Sequence, residues 1–256
     1  MEGYTLEGKI ALVTGVEHPV AQAAATTLAE AGASVAVLAG QAGSAHQAEA
    51  EQVAEAVRQQ QRDARAYAID VTQVEAIQSV IDDLVQHWGR LDILVNGLDK
   101  PFAAPFLDIT EAQEAHILAH TLGGTLHVIR AAARHMVTQQ HGRIITYLSV
   151  LAERGVANCS LYSMTQTALL QLTRSLAIEW GTHGVTVNAI GSGWMENSPL
   201  LPSDDTELQR LQRFIPNHRL GQPDDLAALT VYLASDMGGN ITGQTMYIEG
   251  GLLSHP

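Results

Sequence analysis

The chain has 256 residues, 46% of them hydrophobic, and a formal net charge of −13. That length suits one α/β domain with a large buried core. The acidic balance argues against nucleic acid and anionic membrane surfaces as partners, because both would repel it.

Ile10 to Val13 is a short apolar run stopped by Thr14-Gly15, as expected of a buried strand entering a turn. Pro19 then opens an Ala-rich helix that reaches Glu30 and stops at Gly32; proline suits the first helical turn, where its missing N–H costs nothing. Ser34 to Leu38 is the next strand, Ala45 to Gln61 a helix, Ala66 to Ile69 a strand and Val74 to Trp88 a helix. Ile93 to Val95 is a strand, and Thr110 is placed to cap a long helix reaching about Met136. Arg143 to Leu148, Leu161 to Trp180 and Val185 to Ile190 follow as strand, helix and strand. Residues 191–221 read as an irregular insertion, a substrate loop or lid, before a helix from Pro223 to Ala234 and a last strand at Met246 to Ile248.

Strand and helix thus alternate along the chain. That order predicts a Rossmann-type doubly wound α/β fold: a parallel sheet, helices on both faces, right-handed crossovers, and residues 1–256 forming a single domain. The strands are continuous apolar runs, as expected when both faces are covered. Such sheets bind ligands beyond the carboxyl ends of their strands. The lone Cys159 allows no intrachain disulfide, and no apolar run approaches the ~18 residues of a membrane span, so a cytoplasmic protein is expected.

Several strings are similar to the short-chain dehydrogenase/reductase family: LEGKIALVTG, AIDVT, LDILVN, the Ser149 to Tyr162 spacing, GVTVNAI, and RLGQPDDLAALTVYLASD followed by ITGQTMYIEGG. Together they cover nearly the whole chain. The resemblance implies the fold above, an NAD(P) cofactor, and dimers built through two long helices, here about 111–136 and 160–181. It also implies tetramers built through the final helix and strand.

The family's phosphate loop is TGxxxGxG, whose glycines let backbone approach the diphosphate at a helix N-terminus. The segment here is TGVEHPVA. Gly15 matches, but Pro19 and Ala21 replace the second and third glycines, and Glu17 brings a carboxylate that is expected to repel diphosphate. A plain strand-to-helix turn without ligand is the competing reading. The second strand runs into Ala39-Gly40, with neither an acid for the ribose of NAD nor a base for NADP. Asp70 and Val71 match the family's adenine-side pair, although Asp70 could equally cap a turn. Asn96 matches the start of the family's NNAG, while Asp99 stands where a glycine would lie under the cofactor.

The family's proton relay is a Tyr acid/base, a Ser on the substrate oxygen, a Lys four residues after the Tyr, and an Asn on the long helix. Ser149 and Tyr162 match. Gln166 stands for the Lys, Thr121 for the Asn, Ser192-Gly193 for the Pro-Gly after the sixth strand, and Asn197 for the following Thr. Without the ammonium, the phenolate of Tyr162 loses its main support. A hydrogen-bonded Ser–Tyr pair is also an ordinary structural feature.

His116 and His120 share a helix face, but no third ligand is spaced to join them, so no metal site is expected. Cys159 lacks a basic neighbour and reads as a small buried residue. Trp194 and Met195 fall in the expected substrate loop.

The losses cluster on the cofactor and relay positions while the scaffold is intact. They are similar to those of the non-catalytic subunit of the 2-[hydroxy(phenyl)methyl]succinyl-CoA dehydrogenase of anaerobic toluene degradation. The expectation is therefore an impaired subunit that binds no cofactor itself. It would pair, within a hetero-oligomer, with an intact NAD-dependent paralogue. The alternative is an active NAD(P)-dependent ketone or hydroxyacyl oxidoreductase using Ser149 and Tyr162. A halohydrin dehalogenase-like enzyme is more remote, since that family carries Arg where Gln166 stands.

Overall fold

The structure, a computed structural model, describes residues 2–196 and 198–254; Asn197 lies outside the described residues. Seven strands form one parallel sheet in the order β3-β2-β1-β4-β5-β6-β7. They are β1 (Ile10–Thr14), β2 (Ser34–Ala39), β3 (Ala64–Ala68), β4 (Ile93–Asn96), β5 (Gly142–Ser149), β6 (Val185–Ser192) and β7 (Thr245–Ile248). The helices are α1 (Pro19–Glu30), α2 (Ser44–Gln59), α3 (Val74–Trp88), α4 (Glu111–Ile117), α5 (Gly124–Thr138), α6 (Ser160–Trp180), α7 (Asp205–Phe214) and α8 (Asp224–Ala234).

Two apolar layers explain the continuous strand runs. Alternate residues of β1 enter opposite cores: Ala11 and Val13 pack on the face of α1, α2 and α8, and Leu12 on the face of α3, α5 and α6. The order reverses direction between β1 and β4, so the strands' carboxyl ends open a crevice there, the ligand position of doubly wound sheets.

The long helix expected after Thr110 is interrupted. Thr110 does cap it, in a capping box with Gln113. However, Leu118–Gly123 form a π-helical segment between α4 and α5. At its end Gly124 lies so close to Val71 that an added Cβ would be 2.8 Å from Val71 Cγ2. The insertion at 191–221 also holds a helix, α7. The sequence carried its signals: Asp204 accepts from the Glu207 amide, acids fill the first turn and Arg213 the last. Its apolar stripe, Leu208, Leu211 and Phe214 leading to Ile215, is short and only partly buried, and it lies within a segment read as irregular. Among the described residues, no helix is long and apolar enough to cross a membrane.

Candidate active site

β1, β4, β5 and β6 end around one cavity, lined by His18 to Ala21 of the first loop and helix, Gly97, Asp99, Ser149, Tyr162 and the 192–195 turn. Ser149 is the last residue of β5 and Tyr162 lies in the first turn of α6, so two different elements bring them together. The Ser149 hydroxyl accepts from the Leu151 amide at 3.2 Å, and it shares the cavity wall with Tyr162.

The third member is Asp99. Tyr162 donates its hydroxyl to Asp99 Oδ2 at 2.7 Å, and Gln166 Nε2 donates to Asp99 Oδ1 at 3.2 Å. Gln166 also accepts from the Ser149 amide at 2.9 Å, so its amide is used at both ends. It is therefore a clamp between β5 and the 97–99 loop, not a free group awaiting a ribose. His18 Nε2 meets the Asp99 backbone carbonyl at 2.9 Å and ties the start of α1 to the same loop.

Burial raises the Asp99 carboxyl above its ordinary range, with the Tyr162 hydroxyl opposing. Burial and the Asp99 charge push Tyr162 well above the usual phenol range, with Ser149 pulling weakly the other way. The side chain expected to add a charge beneath a cofactor is thus a carboxyl biased toward its neutral form.

The other expected residues separate. Glu17 does not face the first turn of α1; its carboxylate accepts from the Gly40 amide at 3.1 and 3.3 Å, at the end of β2. Pro19 is the first residue of α1, where no helical bond is lost. Ala21 is buried, and a Cβ on Gly97 would be 3.1 Å from its methyl. Gly15 has φ +76° and its backbone abuts Gly97, so it shapes the turn. Asp70 Oδ1 caps a turn, accepting from the Thr72 amide at 2.9 Å and hydroxyl at 2.7 Å. Val71 is buried. Asn96 links β4 to Thr14 and Thr125, each at 3.1 Å.

Thr121 is fully buried in the π-helical segment and its hydroxyl has no hydrogen-bond partner among the described residues, so it does not join the Tyr162 network. The His116 and His120 rings lie 4.1 Å apart, but no group of three His, Cys, Asp or Glu that could hold a metal occurs among the described residues. Cys159 is buried and burial pushes its thiol up, so it is a poor nucleophile. The sequence reading missed two things: the Asp99–Tyr162 bond and the turn of Glu17 toward β2. Side-chain direction is not written in motif spacing.

A family model described as enoyl-(acyl carrier protein) reductase matches residues 15–253. The chain belongs to the short-chain dehydrogenase/reductase family. A 2-dehydro-3-deoxy-D-gluconate 5-dehydrogenase of Bacillus subtilis is 31% identical over 99% of this chain and 98% of its own. A gluconate 5-dehydrogenase from Burkholderia cenocepacia, solved in complex with NADP and tartrate, is 29% identical, covers 98% of this chain and 97% of its own, and has a TM-score of 0.91. An NAD+-bound xylitol dehydrogenase is 28% identical with a TM-score of 0.89, covering 96% of this chain and 99% of its own.

These relatives overturn the expectation of an impaired subunit beside a catalytic paralogue. They are dehydrogenases matched from end to end, and two hold a dinucleotide. The expectation that this chain binds no cofactor loses its support with it. Of the two acids expected to oppose a cofactor, Glu17 turns toward the Gly40 amide and Asp99 is hydrogen-bonded to Tyr162 and Gln166.

Proposed function

We propose that the chain is an NAD(P)-dependent oxidoreductase that reduces the carbonyl of a neutral, largely apolar ketone. The observation that carries this reading is the Ser149–Tyr162–Asp99 cluster facing the cavity into which the N-terminus of α1 opens. The N-terminus of α1 opens into this cavity and favours a negative charge there, although Pro19 has no N–H and the Ala21 and Gln22 amides donate to the His18 carbonyl at 3.0 and 3.2 Å; Gly97 presents no side chain to the same cavity. When bound, the nicotinamide supplies a hydride to the carbonyl carbon.

The chain's own residues handle the oxygen. Ser149 hydrogen-bonds it, and Tyr162 gives it a proton. Because Tyr162 is held above the usual phenol range, it stays protonated at neutral pH, which favours an acid and hence reduction over alcohol oxidation. Tyr162 donates to Asp99 at 2.7 Å, and a carbonyl oxygen bound beside Ser149 would compete with Asp99 for that proton. Gln166 positions Asp99 and the Ser149 amide.

The substrate class follows from the walls. Val150, Leu151, Trp194, Met195 and Leu200 line the cavity, and among the described residues no Lys or Arg does. A carboxylate would find no Lys or Arg counter-ion among those walls. This separates the chain from relatives named for gluconates.

The test is steady-state reduction of aryl and alkyl ketones beside keto acids, with NADH and NADPH, in the unaltered chain and in Tyr162→Phe. Turnover of neutral ketones that disappears in Tyr162→Phe is expected. Failure to turn over any carbonyl, together with no dinucleotide binding by calorimetry, would sink the reading.

A further inference from the structure

We propose that Glu17, reaching from the loop after β1, is the acid that holds the adenosine ribose and selects NAD over NADP. This rests on the dinucleotide reading above and deepens it. In doubly wound nucleotide folds an acidic side chain about 20 residues beyond the glycine loop, at the end of the second strand, accepts from the ribose 2′-hydroxyl. Here that strand ends at Ala39 and runs into Gly40, so the strand supplies no carboxylate.

The carboxylate arrives from elsewhere. Both oxygens of Glu17 lie on the Gly40 amide, at 3.1 and 3.3 Å. A side chain at position 40 would collide with this arrangement: its Cβ would stand 3.1 Å from Glu17 Oε1 and 2.8 Å from Leu98 Cδ2. Gly40 and Glu17 are therefore complementary. The strand gives up its own side chain, and the loop fills the vacated space with an acid. Val71 borders the same space, 3.7 Å from that Cβ.

The group retains capacity to bind. A carboxylate has about four acceptor directions, and one N–H cannot use them all. Vicinal ribose hydroxyls can share the remainder. Glu17 is only half-buried, so its carboxylate is not sealed from a ligand. Its partner is a backbone amide and not a cation, which leaves its charge uncompensated against a 2′-phosphate. A bare loop staple would need only the acceptor and not the charge.

Glu17→Gln separates the two roles, since it keeps an acceptor for the Gly40 amide and loses the charge. Calorimetric titration of the full chain with NAD and NADP is the measurement. The unaltered chain is expected to prefer NAD. In Glu17→Gln the NAD-to-NADP affinity ratio should fall by about tenfold or more, as a charge-assisted bond is lost and a repulsion removed. The double variant Glu17→Ser with Gly40→Asp, which moves the acid onto the strand, should prefer NAD again, and it carries the test alone if Glu17→Gln does not fold. A preference for NADP in the unaltered chain, or an unchanged ratio in Glu17→Gln, overturns this assignment and leaves the oxidoreductase reading standing. Binding of neither dinucleotide by the unaltered chain overturns both.

Discussion

Asp92 and Asp99 flank the same strand, β4, and only Asp92 is paired with a guanidinium. At the amino end, Asp92 is fully buried, accepts from Arg90 Nε at 2.8 and 2.9 Å, and accepts from the Ile10 amide at 2.9 Å. At the carboxyl end, Asp99 is met by a phenol and a carboxamide. The first arrangement holds a charge in place for structure. The second leaves a carboxyl whose proton is at issue, beside a tyrosine, in a cavity. Doubly wound sheets place their chemistry at the carboxyl end, and a desolvated carboxyl there with no Lys or Arg partner is a functional candidate.

The sharpest way to break this contrast is Tyr162→Phe. If the carboxyl end is the chemical end, kcat for ketone reduction should fall by about 10³-fold, within the usual range for loss of a general acid. Stability should fall by only about 1 kcal/mol, the low end for an orphaned acceptor, since Asp99 keeps its bond from Gln166. Kinetics and a thermal melt on the same preparation check both halves. Unchanged kcat would return Tyr162 to the status of a structural partner of Ser149.

The amino end predicts the opposite pattern. Arg90→Ala removes the cation from a buried carboxylate and should cost about 3 kcal/mol of stability, the low end for a broken buried pair because Arg90 is half-exposed. Catalysis should survive. A urea titration, read beside kcat, distinguishes the two ends: one variant loses mainly rate, the other mainly stability.

Gln166→Leu probes the link between them. It strips partners from the buried Ser149 amide and from Asp99 Oδ1, and one such orphaned group costs about 2 kcal/mol. Stability and kcat should fall together, the second because Ser149 and Asp99 lose alignment. A loss of stability alone would show that the clamp matters only to the fold.

How far the sequence carried this picture depends on the feature. The parallel strands were legible because burial on both faces demands unbroken apolar runs, as in Ile10–Thr14. The identities at the site were legible from spacing: Ser149, Tyr162 and Gln166 fall where two elements converge. Their bonding was not. Asp99 read as an added charge, because nothing in a string of letters says that Tyr162 and Gln166 close around it. Glu17 read as repulsive, because its rotamer toward Gly40 depends on the absence of a Cβ on a strand 23 residues away. The π-helical segment was invisible as well, since nothing in the residue types of Leu118–Gly123 sets it apart from the helix on either side.

The subtlest test concerns the proton on Asp99. Burial raises its folded pKa above the unfolded value, so the folded chain binds more protons than the unfolded one between those two values. The sign follows: Asp99 costs nothing below the ordinary carboxyl range, and its cost grows as pH rises from about 4 toward the folded pKa. Asp99→Asn resembles the protonated acid, because its oxygen can accept from Gln166 while its amide donates to the Tyr162 oxygen. The melting temperature of Asp99→Asn relative to the unaltered chain should therefore climb between about pH 4 and neutrality. Asp92→Asn should show no such climb, because its loss strands Arg90. Parallel pH-dependent melts of the two variants decide the matter: if they track one another, the two carboxyls are equivalent structural groups and the asymmetry across β4 has no chemical meaning.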